Sequence, residues 1–265
     1  MEAKAAVRSG SEMAEQAYEA LAPVYDDFTA HHDYGLWLGE LLPRLEGHGL
    51  SGHRLLDVGC GTGKSFLPML EQGWEVTACD ISPSMLDLAR AKAGDAVTFA
   101  VADMRTLPVF GEFDLVWCLD DAVNYLLSVE ELGEALSAMR ANLAPDGLLL
   151  FDVNTLQAYR SFFAGTEYVE RGGRKLVWRG QAPLDAQPGG IYESHFEAEL
   201  PGGGEADVEK HIHRQRHFPE EVVLATLQEA GLECLDVYGH GFDAVLKQPV
   251  EELVHTKMVY ISRRA

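Results

Sequence analysis

LLDVGCGTGK, residues 55–64, decides how the chain folds. An apolar run ends on an acid and passes into Gly59, Gly61 and Gly63, spaced two apart. The pattern reads as a strand closing into a loop that opens a helix. Glycine in such a loop takes φ > 0 without strain and lets a ligand approach the backbone. Loops of this kind usually hold phosphate on the next helix's N-terminus. A dinucleotide site would prefer GxGxxG, and here the third glycine comes one residue early. Asp57 also sets a carboxylate beside the loop, which opposes a pyrophosphate and suits a ligand end that carries an ammonium group.

Downstream, short strands alternate with helices. A helix is expected over 64–72, then a strand EVTACDI (75–81) and a helix to about Ala93, opened by Ser82 as N-cap and Pro83 in its first turn. Strands VTFAVAD (97–103) and FDLVWCL (113–119) follow. Ser128 and Glu131 form a capping box for a helix reaching about Leu143; PDG reads as a turn, and LLLFDVN (148–154) as a fifth strand. These strands are near-continuous apolar runs, as a parallel sheet buried on both faces requires. Repeated βα units imply an α/β fold with a doubly wound, mostly parallel, Rossmann-like sheet, whose ligands bind at the carboxyl ends of the strands. With closing strands at 232–239 and 257–264 after a helix at 219–230, the sheet has seven strands.

Residues 156–217 break the rhythm. Segments around 168–178, 191–200 and 206–218 are punctuated by RGGR, PGG and PGGG. IYESHFEAEL alternates Tyr192, Ser194, Phe196, Ala198 and Leu200 with Glu193, His195, Glu197 and Glu199, the pattern of a half-buried antiparallel strand. A small antiparallel sheet inserted as a lid is expected. Upstream, Ser9 and Glu12 make a capping box for an amphipathic stretch from Met13 to Leu21 that Pro23 interrupts, and a second helix spans about Asp33–Glu46. The organisation is therefore N-terminal helices over 1–53, a core from 54–155 and 218–265, and a lid over 156–217.

The 265-residue chain carries 42 acidic and 21 basic residues, a formal charge of −21 that repels polyanions and argues against a nucleic-acid partner. No apolar run approaches the roughly 18 residues of a membrane span, and the N-terminus lacks an apolar signal region, so no membrane partner and a cytoplasmic location are expected. Cys60, Cys79, Cys118 and Cys234 form no CxxC pair and read as buried free thiols.

Asp80 ends the second strand, 21 residues beyond Gly59, where an acid can accept from both hydroxyls of a ribose. Asp103 ends the third strand, placed to accept from an adenine amine with Met104 against the ring. Three acids at successive strand ends are not well explained as solvated or capping residues. The runs LLDVGCGTGK, VTACDISPSML, VADMRTLP, FDLVWCLDDAVNYL and LAPDGLLLFDV resemble the class I S-adenosylmethionine-dependent methyltransferases, closely over 18–154 and more loosely over 218–264. The resemblance implies S-adenosyl-L-methionine as cofactor. Gly59, Gly61 and Gly63 then approach its methionine part, with Asp57 beside them. Asp80 takes the ribose, Asp103 the adenine amine, and Ile81 and Met104 sandwich the ring, with Met85 and Leu119 nearby. YEALAPVYDDF resembles the helix that covers the cofactor in small-molecule members, which brings in Tyr18, Tyr25 and Trp37.

The acceptor is less legible, because methyl transfer needs alignment more than catalytic groups. DDAVNYL is not the NPPY-like run of nucleic-acid amino-methyltransferases. The insertion resembles the lid of small-molecule N-methyltransferases, including those of amino-sugar nucleotides and glycine-like amines. The expected function is N-methylation of a small-molecule acceptor, with O- or C-methylation as the alternative and Tyr18, Asp120 and His32 as catalytic candidates. Asp121 is a further acid–base candidate, and His240 a loop residue placed to line the pocket. A nicotinamide-dependent oxidoreductase is disfavoured by the glycine spacing and Asp57, and a non-catalytic binding module by the intact strand-end acids. His211 and His213 share a strand face at i, i+2, but an amphipathic lid strand is preferred to a metal site there. The apolar face of the lid must cover the active site or a second subunit, so a homodimer through the lid is an open expectation.

Overall fold

The computed structural model describes residues 10–171, 173–199, 208–241, 243 and 245–265. Strands β1 (Arg54–Val58), β2 (Glu75–Asp80), β3 (Val97–Val101), β4 (Phe113–Cys118) and β5 (Leu143–Asn154) are parallel and lie in the order β5-β4-β1-β2-β3. The order reverses between β1 and β4, so a crevice opens at their carboxyl ends. The edge beyond β5 is antiparallel: β12 (Lys257–Arg264), then β10 (Leu232–His240). These are the seven expected strands. An eighth, β11 (Leu246–Lys247), adds a two-residue edge to β10.

The apolar strand runs are buried on both faces. On one side Leu132, Leu136 and Met139 of α5 (Val129–Ala141) and Val223 and Leu227 of α7 (Glu220–Glu229) pack on Val116, Phe151 and Tyr260. On the other, Leu38, Leu41 and Leu45 of α2 (Tyr34–Gly47) and Leu86 of α4 (Pro83–Ala93) pack on Leu55, Trp117 and Val259. Ser82 and Ser128 cap α4 and α5 as expected, each accepting an amide three residues on at 3.1 Å.

The second sheet is antiparallel, β6-β7-β8-β9, from β6 (Thr166–Arg171), β7 (Arg174–Gly180), β8 (Ile191–Glu199) and β9 (Val208–Arg216). The expected first segment is thus a hairpin, turned with Gly173 at φ 76°. In β8, Tyr192, Ser194, Phe196 and Ala198 are buried, and the residues between are not. Their cover is α1 (Gly10–Phe28), whose Leu21, Ala22, Val24 and Phe28 pack with Leu176, Trp178 and Phe196. The apolar face of the insertion is therefore sealed within the chain.

Four local expectations change. Helix α1 runs through Pro23 rather than stopping: burial of Val24 and Phe28 beyond it outweighs the roughly 3 kcal/mol that an interior proline costs. The helix expected over 64–72 shrinks to α3 (Leu67–Glu71), because Phe66 folds under Gly63 and holds 60–66 as a loop. PDG lies inside β5, which begins at Leu143; a Cβ at Gly147 would stand 2.5 Å from the Phe113 carbonyl, so only glycine passes β4 there. Cys60, Cys79 and Cys118 are buried free thiols, whereas Cys234 is half-buried. Ser9, Leu200 and the PGGG run lie outside the described residues.

Candidate active site

The carboxyl ends of β1–β4 and the N-terminal half of α1 enclose a cleft. Gly59 and Gly61 line it at φ 73° and 51°, and the Gly59 and Cys60 amides are tied to the Cys79 carbonyl at 2.8 and 3.0 Å. A Cβ at Gly59 would come within 3.2 Å of Ala122 and 4.0 Å of the Met104 methyl, filling the cradle. Gly63 is different. It does not line the cleft, and its missing Cβ makes room for Phe66, whose ring tip would stand 2.5 Å away.

Asp80 is buried and accepts from the Gly61 amide (2.8 Å) and the Ser82 amide (2.9 Å). Burial raises its pKa, and the amides of Ser82 and Gly61 oppose the rise. It braces the glycine loop, and each oxygen keeps a lone pair for a ribose hydroxyl. Ile81, Met104 and Leu119 line the same cleft. Asp103 is shared: it accepts from Arg105 Nη2 at 2.7 Å, and Arg105 Nη1 reaches Glu131 at 2.6 Å. Burial acts to raise the Asp103 pKa, but the Arg105 bonds and charge outweigh it and hold the carboxyl low. An adenine amine would add to that ion pair.

Asp57 accepts from Ser65 Oγ at 2.6 Å through Oδ2. Its Oδ1 has no well-formed hydrogen bond; the Trp117 indole lies near enough to favour the charge without closing one. Burial pushes Asp57 up to about 7. A half-satisfied carboxylate beside a cradle that a single Cβ would fill fits the ammonium end of an amino-acid-bearing nucleoside, and gives nothing to a pyrophosphate. The residues present fit S-adenosylmethionine.

Tyr18 and Tyr25 of α1 roof the cleft with Tyr34 and Tyr125. Tyr18 packs on Tyr125 at 5.1 Å, and the Tyr125 hydroxyl shares a 2.8 Å hydrogen bond with His213 Nδ1 on β9. Burial holds all four phenols well above their usual pKa, so they present neutral hydroxyls. Burial also lowers His213 to about 3, so its imidazole is neutral. Two aromatic or sulfur-bearing candidates lie elsewhere. Trp37 sits behind Tyr34, against His240 at 5.3 Å, because its position in α2 turns it into the core. Met85 is fully buried beneath α1 in the core of the small sheet. Neither lines the cleft.

Beyond β4 the chain takes two consecutive left-handed residues, Asp120 (φ 62°) and Asp121 (φ 55°). Asp152 of β5 holds this turn by accepting both amides, at 2.6 and 2.8 Å. Lys257, at the start of β12, lies 3.0 Å from Asp120 Oδ1, 2.5 Å from Asp121 and 3.0 Å from Asp152. Gln215 of β9 donates to Asp121 at 2.6 Å, fastening the small sheet to the turn. Asp120 Oδ2 accepts from the Tyr34 hydroxyl and pairs with His32 Nδ1, each at 3.2 Å. Burial acts to raise the Asp120 pKa, but the Lys257 charge and His32 outweigh it and hold the carboxyl far below its usual range. Burial and its neighbouring carboxylates lift Asp152 to about 6 despite Lys257. Burial disfavours the Lys257 charge, but the three carboxylates raise its pKa well above normal.

Asp120 thus lines the cleft, whereas His32 stands outside it. Sequence reasoning missed Tyr34, Tyr125, Asp152 and Lys257. The Asp120–Asp121 pair was a usable signal, since two adjacent carboxylates at a strand end call for a cation, but nothing in the sequence points to Lys257 more than a hundred residues on.

Such a cleft, with a carboxylate rather than a phosphate partner beside its glycine cradle and acids at successive strand ends, defines a nucleoside-binding transferase site on a doubly wound sheet. A methyltransferase-domain family profile matches residues 55–147. YqeM of Bacillus subtilis (strain 168), named as a methyltransferase with no stated acceptor, is 31% identical over 221 residues, 82% of this chain and 86% of its own length. The dTDP-3-amino-3,4,6-trideoxy-alpha-D-glucopyranose N,N-dimethyltransferase of Streptomyces venezuelae is 25% identical over 216 residues, 80% and 86% of the two chains. The crystal structure of an S-adenosylmethionine-dependent methyltransferase from Clostridium acetobutylicum superposes with a TM-score of 0.77 at 22% identity, covering 94% of this chain and 99% of that one. The chain belongs to the S-adenosylmethionine-dependent methyltransferases.

Proposed function

We propose that the chain methylates the nitrogen of a small-molecule amine. The observation that carries this reading is the charge beside the glycine cradle. Asp120, Asp121 and Asp152 face a single ammonium, Lys257, which leaves an excess of negative charge at the end of the cleft. Tyr25 and Tyr34 add aromatic faces beside it. Anionic and aromatic surroundings together favour a cation. The relative from Streptomyces venezuelae acts on an amino sugar, which supports the same class here.

S-adenosylmethionine supplies a methyl carbon on a sulfonium, open to in-line displacement. The chain's own work is to bind and align. Gly59 and Gly61 offer backbone, Asp57 an ammonium partner, Asp80 a diol acceptor, and Asp103, Ile81 and Met104 the adenine site. Tyr18 and Tyr25 close α1 over the cleft and exclude water. Holding the reactants in line supplies much of the acceleration. A net charge of −21 supports a reading without nucleic-acid partners. Four free cysteines support a cytoplasmic location, and among the described residues no helix is long and apolar enough to cross a membrane. A homodimer through the lid would use its outer face, where Ile191 and Ile212 are exposed, since the inner face is covered by α1.

The test pairs S-adenosylhomocysteine binding with transfer of a labelled methyl group to a panel of amines, amino-sugar nucleotides and phenols. Micromolar binding and label on an amine are expected. Label on phenols alone would overturn the amine reading and leave the cofactor assignment standing.

A further inference from the structure

We propose that the cleft tells the methyl donor from the spent cofactor by charge, and that the Tyr25 ring and the Asp120 carboxylate determine this specificity. Loss of the methyl group turns a sulfonium into a neutral thioether, so the site holds the reactant and lets the product go. Only the cofactor is involved, and the choice of acceptor does not bear on it.

The position of the sulfur follows from covalent order. The cofactor runs adenine, ribose, sulfur, amino acid. The cleft offers Asp103 and Met104 for the first, Asp80 for the second, and Gly59, Gly61 and Asp57 for the last. The sulfur belongs between Asp80 and Asp57. Gly61 marks that stretch, since its amide donates to Asp80 at 2.8 Å. Tyr25 covers it: a Cβ on Gly61 would stand 3.9 Å from the Tyr25 ring. Burial first, and then the charges of Asp120 and Asp121, hold the Tyr25 phenol neutral. An uncharged aromatic ring within reach of two carboxylates is a surrounding that favours a cation.

The balance of charge points the same way. Among the described residues that line the cleft, five are carboxylates (Asp57, Asp80, Asp103, Asp120 and Glu131) and Arg105 is the one cation. Arg105 is engaged at the adenine end, by Asp103 at 2.7 Å and Glu131 at 2.6 Å. At the other end Lys257 meets Asp120 at 3.0 Å but is shared with Asp121 and Asp152. Lys64 stands outside the cleft, with its ammonium on the Thr29 carbonyl at 2.5 Å. Negative charge therefore exceeds positive around the sulfur position.

Part of that charge is unmet. Asp57 Oδ1 is buried without a hydrogen-bond partner. Burial pushes Asp57 up to about 7 and raises Asp80 as well. Buried carboxylates shifted upward lack a neighbouring cation. S-adenosylmethionine brings two, a sulfonium and an ammonium, against one carboxylate of its own. S-adenosylhomocysteine brings the ammonium alone and has no net charge. One unit of charge in a partly desolvated site is worth tenfold or more in affinity.

The test is calorimetry at pH 7.5 with no acceptor present. It compares S-adenosylmethionine, S-adenosylhomocysteine and sinefungin, in which a C–NH₃⁺ group replaces the methylsulfonium. Each cationic ligand should bind at least about tenfold tighter than S-adenosylhomocysteine. Asp120→Asn and Tyr25→Leu should each narrow that ratio by roughly threefold or more, chiefly by weakening the cationic ligands. A general loosening of the fold would weaken all three ligands alike and leave the ratio as it was. S-adenosylhomocysteine binding the unmutated protein as tightly as S-adenosylmethionine overturns the proposal, whether or not the variants fold. Sinefungin binding no tighter than S-adenosylhomocysteine also overturns it, because the site would then read the shape of the methyl group and not the charge. A parental ratio kept by both folded variants overturns the assignment to Tyr25 and Asp120.

Discussion

The cleft has two ends built in opposite ways. At the cofactor end each residue sits at the close of the strand that carries it: Asp57 in β1, Asp80 in β2, Asp103 just beyond β3. Their partners are mostly near in sequence, Ser65 for Asp57, Ser82 for Asp80, Arg105 for Asp103. At the end proposed for the acceptor, one turn of two left-handed aspartates is held by Asp152, Lys257, His32, Tyr34 and Gln215, drawn from four separate parts of the chain. The first end is a repeated local motif. The second exists only once the sheet and the insertion have assembled around it, which makes it the more vulnerable to single changes.

Breaking that contrast should have its largest effect at Lys257. Replacing it with methionine leaves three carboxylates, the buried Asp152 and the half-buried Asp120 and Asp121, without their cation. Removing one partner of a buried pair costs about 3–5 kcal/mol, and here several bonds share the loss. Thermal unfolding should show a fall of roughly 6–20 °C. A variant as stable as the parent would mean that the array does not hold the turn.

At the cofactor end the effects should be smaller and confined to binding. Asp80→Ala removes the proposed diol acceptor and the brace on Gly61, and should weaken S-adenosylhomocysteine more than about tenfold, or ~1.4 kcal/mol. Calorimetry on the folded variant would check it.

The gentlest probe is pH. Asp57, at about 7 in the unliganded protein, must be ionised to meet an ammonium. Affinity for S-adenosylhomocysteine should then fall as pH drops below about 7, approaching tenfold per unit, and Asp57→Asn should flatten that slope. The sign for stability is opposite. The unfolded carboxyl ionises first, so the unliganded fold loses stability as pH rises from about 4 to about 7. An affinity independent of pH between 5 and 7 would remove Asp57 from ammonium recognition.

The legibility of the molecule follows the same divide. The positions of the strands, the strand-end acids and the caps at Ser82 and Ser128 rest on patterns a few residues long, and the sequence displays them. Pro23 misled because a local rule about helices met a tertiary gain, the burial of Val24 and Phe28 under the small sheet. Gly63 looked like Gly59 in the motif, yet one makes room for Phe66 and the other keeps the cradle open. Spacing alone does not separate those two uses. Trp37 and Met85 have the chemistry of cofactor contacts, but the facing of α2 and α4 turned both inward.

By itself the sequence determined the doubly wound sheet, the insertion and the cofactor, because apolar runs, glycine spacing and acids at strand ends are written in short windows. Only the tertiary structure decided what surrounds Asp120. Lys257 and Asp152 reach it from neighbouring strands, His32 from the loop between α1 and α2, and Tyr34 from the start of α2, so the charge around this turn arises from long-range packing that no local pattern encodes.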